Sequence, residues 1–258
     1  MRFYKYHGCG NDFILIDESP SADYRALAVR MCDRRFGIGG DGLLVCSDYP
    51  PSMRIFNRDG SEASMCGNGI RCAAKHFAEN GTATEGEPFC ISTLDGPKTV
   101  CVGEDGKVYV EMGRARFDAE NFGREYEIYG MKFYFYPVFI GCAHAVVLCG
   151  DIYRGILYGV GERLCKSELF PQMVNVDLVR VDSRSELTAR TYERGAGYTA
   201  ACGTGACAAY AVTRRLNLCD DEVRVDFEPG TLYVSGGEKI RLSGESEKVF
   251  CGEWEERS

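Results

Sequence analysis

The sequence contains no Cys-x-x-Cys pair, although it has fourteen cysteines. It therefore lacks the close paired spacings typical of zinc sites. It also shows no secretory signal, so a framework of disulfide bonds is not expected. No lysine lies in a recognisable pyridoxal phosphate motif. We expect neither a metal nor an organic cofactor, and we expect most of the cysteines to be small buried hydrophobic residues.

An excess of positive charge is also missing. The 258 residues carry a formal net charge of −8 at pH 7. An acidic surface does not attract phosphate backbones or acidic lipid headgroups, which argues against nucleic acid or a membrane as partner. The expected ligand is a small molecule.

Long hydrophobic runs are absent as well. The N-terminal segment, MRFYKYHGCGNDFILIDE, has no uninterrupted apolar core before a small-residue cleavage site, so we expect a cytoplasmic protein. The longest uncharged stretch, Phe133 to Gly150, approaches the length of a membrane span but is interrupted by Pro137, Gly141 and His144. We interpret it as two buried strands.

Short runs that alternate apolar and polar residues dominate the chain and predict half-buried antiparallel strands. They cover residues 13–16, 43–46, 53–56, 98–102, 107–112, 132–135, 138–140, 145–148, 174–181, 187–192, 222–227, 231–234 and 239–243. Helical patterns are fewer, and they cover residues 24–36, 69–80, about 159–167 and 205–216. Strands followed by one buried helix, and then the same order again, predict an α+β protein made of two similar halves.

A Cys-Gly-x-Gly turn opens an alanine-rich helical pattern twice. The first copy is SMCGNGIRCAAKHF, from Ser64, and the second is AACGTGACAAYAV, from Ala200. Asn57 lies nine residues before Cys66, and Glu193 lies nine residues before Cys202, each at the end of a β-like run. The matched order supports an internal duplication.

A cysteine at the start of a helix has specific chemistry. The free amides and the macrodipole there bind anions such as carboxylates and favour thiolate over thiol. Two such cysteines facing each other across a domain cleft could remove a proton from one face of a carbon and return one to the other face. One sulfur would then be thiolate while the other is thiol. A single turn of this kind could equally be a tightly packed helix–strand junction.

Four segments resemble the diaminopimelate epimerase family, which are cofactor-independent racemases acting at an amino-acid α-carbon. These are GCGNDF from Gly8, FNRDGSEASMCGNGIRC from Phe56, NVD from Asn175 and ERGAGYTAACGTGACA from Glu193. The resemblance implies two pseudo-symmetric domains, each a mostly antiparallel sheet wrapped around a central helix. The first would comprise residues 1–115 joined by residues 249–258, and the second residues 116–248. Family members often dimerise, so a homodimer is a possible assembly.

The resemblance also implies roles for individual residues. Cys66 and Cys202 would be the acid and base thiols, with Glu193 at the substrate α-ammonium and His144 tuning the site near the thiols. The α-carboxylate would be bound at the two helix starts by Gly67, Asn68, Gly203 and Thr204. The remaining substrate contacts would come from Asn11, Asn57, Asn175 and Arg194. Taken singly, these last four would be turn, strand-end or surface residues.

Two positions depart from the family pattern and keep other functions open. Cys142 stands where the family has an asparagine at the distal end of the substrate, and Tyr198 stands where the family has a glutamate. The retained Asn57, Asn175 and Arg194 favour a substrate with a polar distal group, and the expected reaction is conversion of L,L-diaminopimelate to the meso form. Loss of an amide donor and gain of an aromatic ring could instead favour another substrate such as histidine. A thiol oxidoreductase and a catalytically silent amino-acid-binding protein are further alternatives. Cys142, so near His144, could be catalytic, reactive or only space-filling, and space-filling is the default expectation.

Overall fold

The computed structural model describes residues 1–152 and 157–255. Within them the α-helices are α1 (Tyr24–Met31), α2 (Gly67–Glu79), α3 (Glu162–Cys165) and α4 (Gly203–Arg215), and a π-helical turn (Leu157–Gly161) precedes α3. The strands are β1 (Arg2–Gly8), β2 (Asn11–Asp17), β3 (Gly42–Asp48), β4 (Pro51–Asn57), β5 (Glu62–Ala63), β6 (Phe89–Thr93), β7 (Gly96–Val102), β8 (Val108–Gly113), β9 (Arg116–Phe117), β10 (Arg124–Ile128), β11 (Met131–Ile140), β12 (Cys142–Leu148), β13 (Asn175–Val181), β14 (Glu186–Glu193), β15 (Gly197–Thr199), β16 (Glu222–Phe227), β17 (Gly230–Ser235), β18 (Ile240–Gly244) and β19 (Glu247–Glu253). The α+β prediction is confirmed.

The described residues form two compact units. Unit 1 comprises Met1–Val110 and the described residues from Ser243 onward, and unit 2 comprises Glu111–Leu242. The domain limits taken from the family resemblance stay a prediction. Among the described residues, no helix is both long and apolar enough to cross a membrane.

In unit 1 the sheet curves around helix α2. Strand β1 pairs antiparallel with β2 and β19, β2 runs parallel to β3, and β3 pairs antiparallel with β4. Helix α2 contacts all five of these strands and β7. Small residues permit this close packing, since Cys72, Ala73 and Ala74 are completely buried. Phe77 is also fully buried, and burying a side chain of that size stabilises the fold by roughly 1.5–3 kcal/mol.

Unit 2 repeats this arrangement around helix α4. Strands β11 and β12 pair antiparallel, β12 and β13 run parallel, and β13 and β14 pair antiparallel. Helix α4 contacts these four strands and β17. Its first two turns again bury small residues completely, namely Ala206, Cys207, Ala208 and Ala209. Each unit therefore surrounds one 13-residue helix with strands.

Two local expectations differ from the structure. The pattern over residues 24–36 predicts one helix, but α1 ends at Met31 because Asp33 accepts the backbone amides of Arg35 and Phe36 at 2.7 Å and forms a turn. The two strands expected between residues 132 and 140 form one strand, β11, through Pro137. On one side of β11, β10 pairs up to Phe135 and β9 pairs from Val138, so Pro137 lies where no donor to a neighbouring strand is needed.

Candidate active site

Cys66 is the N-cap of helix α2. Its backbone is extended (φ −141°, ψ 124°), and its Sγ accepts the N–H of Gly69 at 3.4 Å. The sulfur thus takes the place that a serine or aspartate oxygen usually fills at a helix start. The first amides of a helix have no intrahelical carbonyl partner, so this end of α2 can receive a carboxylate.

The side chain of Asn11 lies next to this helix start. Its Oδ1 is 3.9 Å from Cys66 Sγ and accepts a hydrogen bond from Asn68 Nδ2 at 3.2 Å. Its Nδ2 donates to Asp41 Oδ2 at 2.8 Å, which fixes the orientation of the amide. The structure therefore groups three residues that the sequence resemblance singled out: Asn11, Cys66 and Asn68.

Two charged groups that the sequence analysis missed support this cluster. Arg71 is completely buried in α2 and donates to the Gly67 carbonyl at 3.0 Å and to Asn68 Oδ1 at 2.9 Å. Asp41, which holds Asn11, also accepts from Arg34 at 2.8 Å. An arginine inside an otherwise apolar helix face is the sequence signal that could have identified Arg71, because such residues are almost never fully buried without partners.

Asn57 lies apart from the hydrogen bonds around Cys66. It is exposed, and its Nδ2 donates to Ser61 Oγ at 2.9 Å within a turn. Asp59 closes the same turn through bonds to Ser61 at 2.6 and 2.9 Å. A substrate contact of Asn57 stays a prediction, and the structure shows the turn contacts expected of an isolated asparagine.

Cys202 is the N-cap of helix α4 in unit 2. Its backbone is extended (φ −126°, ψ 116°), and its Sγ accepts the N–H of Gly205 at 3.3 Å, as Cys66 does in unit 1. Thr204 Oγ1 lies 3.4 Å from the same sulfur. Burial raises the pKa of the Cys202 thiol well above its ordinary value, and the nearby charge of Glu193 acts in the same direction. Without ligand, Cys202 is therefore a thiol at neutral pH.

Glu193 lies close to Cys202 at the end of β14. Thr199 Oγ1 donates to its Oε1 at 2.6 Å. Burial raises the pKa of the Glu193 carboxyl, while the hydrogen bonds from Thr199 and Cys202 lower it in part. Thr199 is a further residue that sequence reasoning did not single out.

His144 is a completely buried histidine at the start of β12. Its Nδ1 is 2.6 Å from Asp177 Oδ2, and both side chains are fully buried. Burial favours the neutral ring, but the Asp177 carboxylate outweighs it and raises the pKa of His144 to about 10. Asp177 was visible in the sequence as a charged residue between the apolar Val176 and Leu178, yet it received no role.

Cys142 does more than fill space, so that expectation is wrong. Its Sγ lies 3.2 Å from His144 Nε2 and 3.5 Å from Thr204 Oγ1, and it accepts from Asn175 Nδ2 at 3.2 Å. The sulfur thus joins three residues that the family resemblance assigned to the site. Within the described ranges, no group of three or more His, Cys, Asp or Glu side chains is arranged to hold a metal ion.

The other predicted residues of unit 2 lie at its surface or edge. The backbone N–H of Arg194 donates to Asn175 Oδ1 at 2.8 Å, while its exposed guanidinium donates to the Gln172 carbonyl at 3.2 Å. Tyr198 directs its hydroxyl to Glu228 Oε2 at 3.1 Å. The Tyr198 hydroxyl is thus hydrogen-bonded to the Glu228 carboxylate, a contact that the sequence did not indicate.

The glycines that donate to the two cysteines differ in the space around them. A Cβ at Gly205 would lie 2.5 Å from Asp177 Oδ1 and 2.8 Å from Thr191 Oγ1. A Cβ at Gly69 would have more room, since its nearest atoms would be Leu44 Cδ2 at 3.2 Å, Cys66 Cβ at 3.4 Å and Ile55 Cδ1 at 3.6 Å. We expect Gly205→Ala to lower the free energy of unfolding by about 1–3 kcal/mol through overpacking. The matched variant Gly69→Ala should stay within about 1 kcal/mol of wild type, because alanine also favours the helix. Urea unfolding of both variants tests this, and equal losses would contradict it.

The sequence of the chain is similar to that of known proteins along nearly its whole length. The family model described as diaminopimelate epimerase matches residues 3–117 and 136–248. The diaminopimelate epimerase of Caldanaerobacter subterraneus subsp. tengcongensis is 41% identical, with 99% of this chain and 100% of that protein covered. The diaminopimelate epimerase of Carboxydothermus hydrogenoformans is 37% identical, with 98% and 99% covered.

A solved structure shows the same fold at low sequence identity. The hydroxyproline epimerase of Agrobacterium vitis, crystallised with trans-4-hydroxy-L-proline, superposes with a TM-score of 0.72 at 15% identity, covering 98% of this chain and 91% of that one. This likeness concerns the fold alone. The full-length matches to the relatives and to the family model go further, and they confirm the resemblance noted in the sequence: the chain belongs to the diaminopimelate epimerase family.

Proposed function

We propose that this protein is an isomerase that converts L,L-diaminopimelate to the meso form by moving a proton between two cysteine thiols. The relatives that match nearly its whole length carry the name diaminopimelate epimerase, which does not favour histidine as substrate. The observation that carries the mechanism is the repeated cap. In each unit a cysteine sulfur accepts the third amide of the buried helix, Gly69 in one case and Gly205 in the other.

The proton transfer needs one thiolate and one thiol. Burial raises the pKa of Cys202 and holds it as a thiol, so Cys202 is suited to deliver a proton to the α-carbon. Cys66 then acts as the thiolate that removes the α-hydrogen from the opposite face. In the reverse direction the two sulfurs exchange these roles.

The carboxylate of the substrate must accept charge as the α-hydrogen leaves. We propose that the amides of Gly67 and Asn68, and those of Gly203 and Thr204, bind it at the helix starts. Preorganised amides of this kind stabilise a developing anion, and losing one donor in comparable sites costs about 3 kcal/mol. Arg71 supports the first pair, because it holds the Gly67 carbonyl and the Asn68 side chain from behind.

The other proposed contacts orient the substrate. Glu193 receives the α-ammonium group, and its position beside Cys202 supports this. Asp41 orients the Asn11 amide so that its Oδ1 faces Asn68 and Cys66, and this position suits a contact near the reacting carbon. Roles for Asn175 and Arg194 at the distal end, and for Asn57, rest on the family resemblance. A homodimer and a cytoplasmic location stay predictions.

Hydrogen exchange tests the reaction and the substrate together. Purified protein in heavy water is given L,L-diaminopimelate, L-histidine or L-proline, and α-deuterium is measured by mass spectrometry. We expect deuterium in diaminopimelate, with formation of the meso isomer, and at least tenfold less in the other two. Exchange confined to histidine or proline would overturn the substrate, and a protein that only bound the amino acid would give no exchange at all.

A further inference from the structure

The polar groups around Cys142 suit a negatively charged sulfur. Three polar groups converge on its sulfur: Asn175 Nδ2 at 3.2 Å, His144 Nε2 at 3.2 Å and Thr204 Oγ1 at 3.5 Å. Such a set can supply three donors to one sulfur, whereas a neutral thiol would use its own proton on one of them. The state of the sulfur depends on which way each of these groups is oriented.

The amide of Asn175 can act only as a donor to Cys142. Its Oδ1 accepts the backbone N–H of Arg194 at 2.8 Å, and that bond fixes which end of the amide faces the sulfur. The Nδ2 group therefore points at Cys142, and it has no lone pair to accept a thiol proton. The contact at 3.2 Å is a donation to sulfur.

The ring of His144 is oriented by a second fixed contact. Its Nδ1 lies 2.6 Å from Asp177 Oδ2, so that nitrogen carries a proton and donates to the carboxylate. Asp177 is itself held by Thr191, whose hydroxyl donates to Oδ1 at 2.8 Å. Cys142, His144 and Asp177 thus form a line of sulfur, imidazole and carboxylate, with Nε2 of the ring facing the sulfur.

We propose that Cys142 is held as a thiolate paired with the His144 imidazolium, and that it is a third reactive sulfur of this protein, one at which soft electrophiles attach. In this pair the Cys142 sulfur carries no proton, and both ring nitrogens of His144 are protonated. Neither group is needed as the acid or the base of the proposed two-cysteine proton transfer. The site is thus additional to that function and does not depend on it.

The charges facing Cys142 from the neighbouring strands are accounted for. Burial and the carboxylate of Asp177 oppose a thiolate, while the bonds from His144 and Thr204 favour it, and the balance lowers the pKa of Cys142 below its ordinary value. Glu193 on β14 and Cys202 at the start of α4 are the other titratable groups nearby, and burial raises the pKa of both. Each is therefore less charged, and repels a thiolate less, than it would in water.

The expected modification is a simple displacement. The Cys142 thiolate attacks the methylene carbon of iodoacetamide, a carbon–sulfur bond forms, the carbon–iodine bond breaks and iodide leaves. No proton has to be removed first, because the sulfur is already ionised. Cys142 is partly exposed, which gives the reagent access.

The test measures labelling rates of individual cysteines as a function of pH. Wild-type protein is treated with iodoacetamide between pH 6.0 and 7.5, digested, and analysed by mass spectrometry, with the exposed residues Cys90 and Cys251 as reference thiols. An ordinary thiol of pKa ~8.5 loses about 30-fold in rate over this range. We expect the rate at Cys142 to change less than threefold. A fall parallel to that of the reference thiols, or no labelling of Cys142, would overturn the proposal.

Two controls show whether the pH dependence of labelling at Cys142 comes from the pair with His144 or only from exposure to the reagent. In denaturant all three cysteines should show the same steep pH dependence, because the pair exists only in the fold. In folded Asp177→Asn the ring loses its charged partner, and we expect labelling of Cys142 to become as steep with pH as that of Cys90. If this variant does not fold, the wild-type profile alone decides. The readout is independent of turnover, so it can fail or succeed without regard to the proposed reaction.

Discussion

Serine in place of Cys66 or Cys202 is expected to lower α-deuterium incorporation into diaminopimelate by about 10²–10⁴-fold, the range typical of a lost general acid or base. Serine is similar in size to cysteine, and its hydroxyl oxygen can still accept the hydrogen bond from the amide of Gly69 or Gly205. Its proton is far harder to remove than that of a thiol, so each variant loses one half of the transfer. Initial exchange rates of the two single variants and the double variant measure the effect.

The matched control is Cys90→Ser, an exposed cysteine of unit 1 outside the cluster around Cys66. It should retain near-wild-type exchange, which shows that the loss follows position and not serine itself. Because Cys66 and Cys202 act in one reaction, the double variant should be little worse than the poorer single variant. Near-full activity of either single variant would end the two-base assignment.

Replacing Asp177 by asparagine is expected to cost about 3–5 kcal/mol of stability near pH 6.5, as removal of one partner of a buried ion pair does. The pKa of His144 is raised from 6.5 to about 10 in the fold, so the stability gained from its protonation is fully present below pH 6.5 and is lost as the pH rises towards 10. The difference between wild type and variant should therefore shrink between pH 6.5 and pH 9.5. Urea unfolding at both pH values measures it.

Asp226→Asn is a closely matched control in the same unit. Asp226 also pairs with a cation and a threonine, Arg224 at 2.6 Å and Thr231 at 2.7 Å, but the Asp226 side chain is 30% exposed and that of Arg224 45%. An exposed pair of this kind contributes about 0–1 kcal/mol. Its loss should be small and equal at both pH values. A pH-independent cost at Asp177 would mean that the charge of His144 is not what this carboxylate stabilises.

The two central helices were the most predictable elements of the fold. Both follow from the Cys-Gly-x-Gly pattern and the small residues after it, although each starts two residues earlier than expected, at Gly67 and Gly203. The cysteine is the cap, so the glycine directly after it is already the first helical residue. Glycine is unfavourable inside a helix, which is why the pattern alone placed the start later.

Three of the strands that were missed, β1, β10 and β19, carry charge where alternation predicts apolar residues. In β1, Lys5 is buried because it bonds to Asp12 at 2.6 Å and to the Gly39 carbonyl, and a lysine breaks the pattern expected of an inward-facing position. Strands β10 and β19 are rich in glutamate and lie largely exposed. Their pairing comes from partners distant in sequence or from a tight turn, which local periodicity does not report.

Candidate site residues could be chosen from the sequence only where they belonged to a recognisable motif. The duplicated turn pointed to Cys66 and Cys202, and the family segments added Asn11, Asn175 and Glu193. Cys142 could not be recognised, because its chemistry depends on three neighbours brought to it from other parts of the chain. Its tuning is a property of the fold, and a cysteine alone is most often a buried hydrophobe.

The close fit of small residues around α2 and α4 constrains how such a protein can change its ligand. Turning a helix by one residue would rotate its capping cysteine by about 100°. Alanines such as Ala73 and Ala208 are fully buried against the strands, so a rotated helix would place larger side chains where only alanine fits. The positions of the two sulfurs are thus fixed by packing, and new ligand preferences would have to arise in the strands and turns around the helix starts, such as the start of β12 at Cys142 and strand β15 with Tyr198.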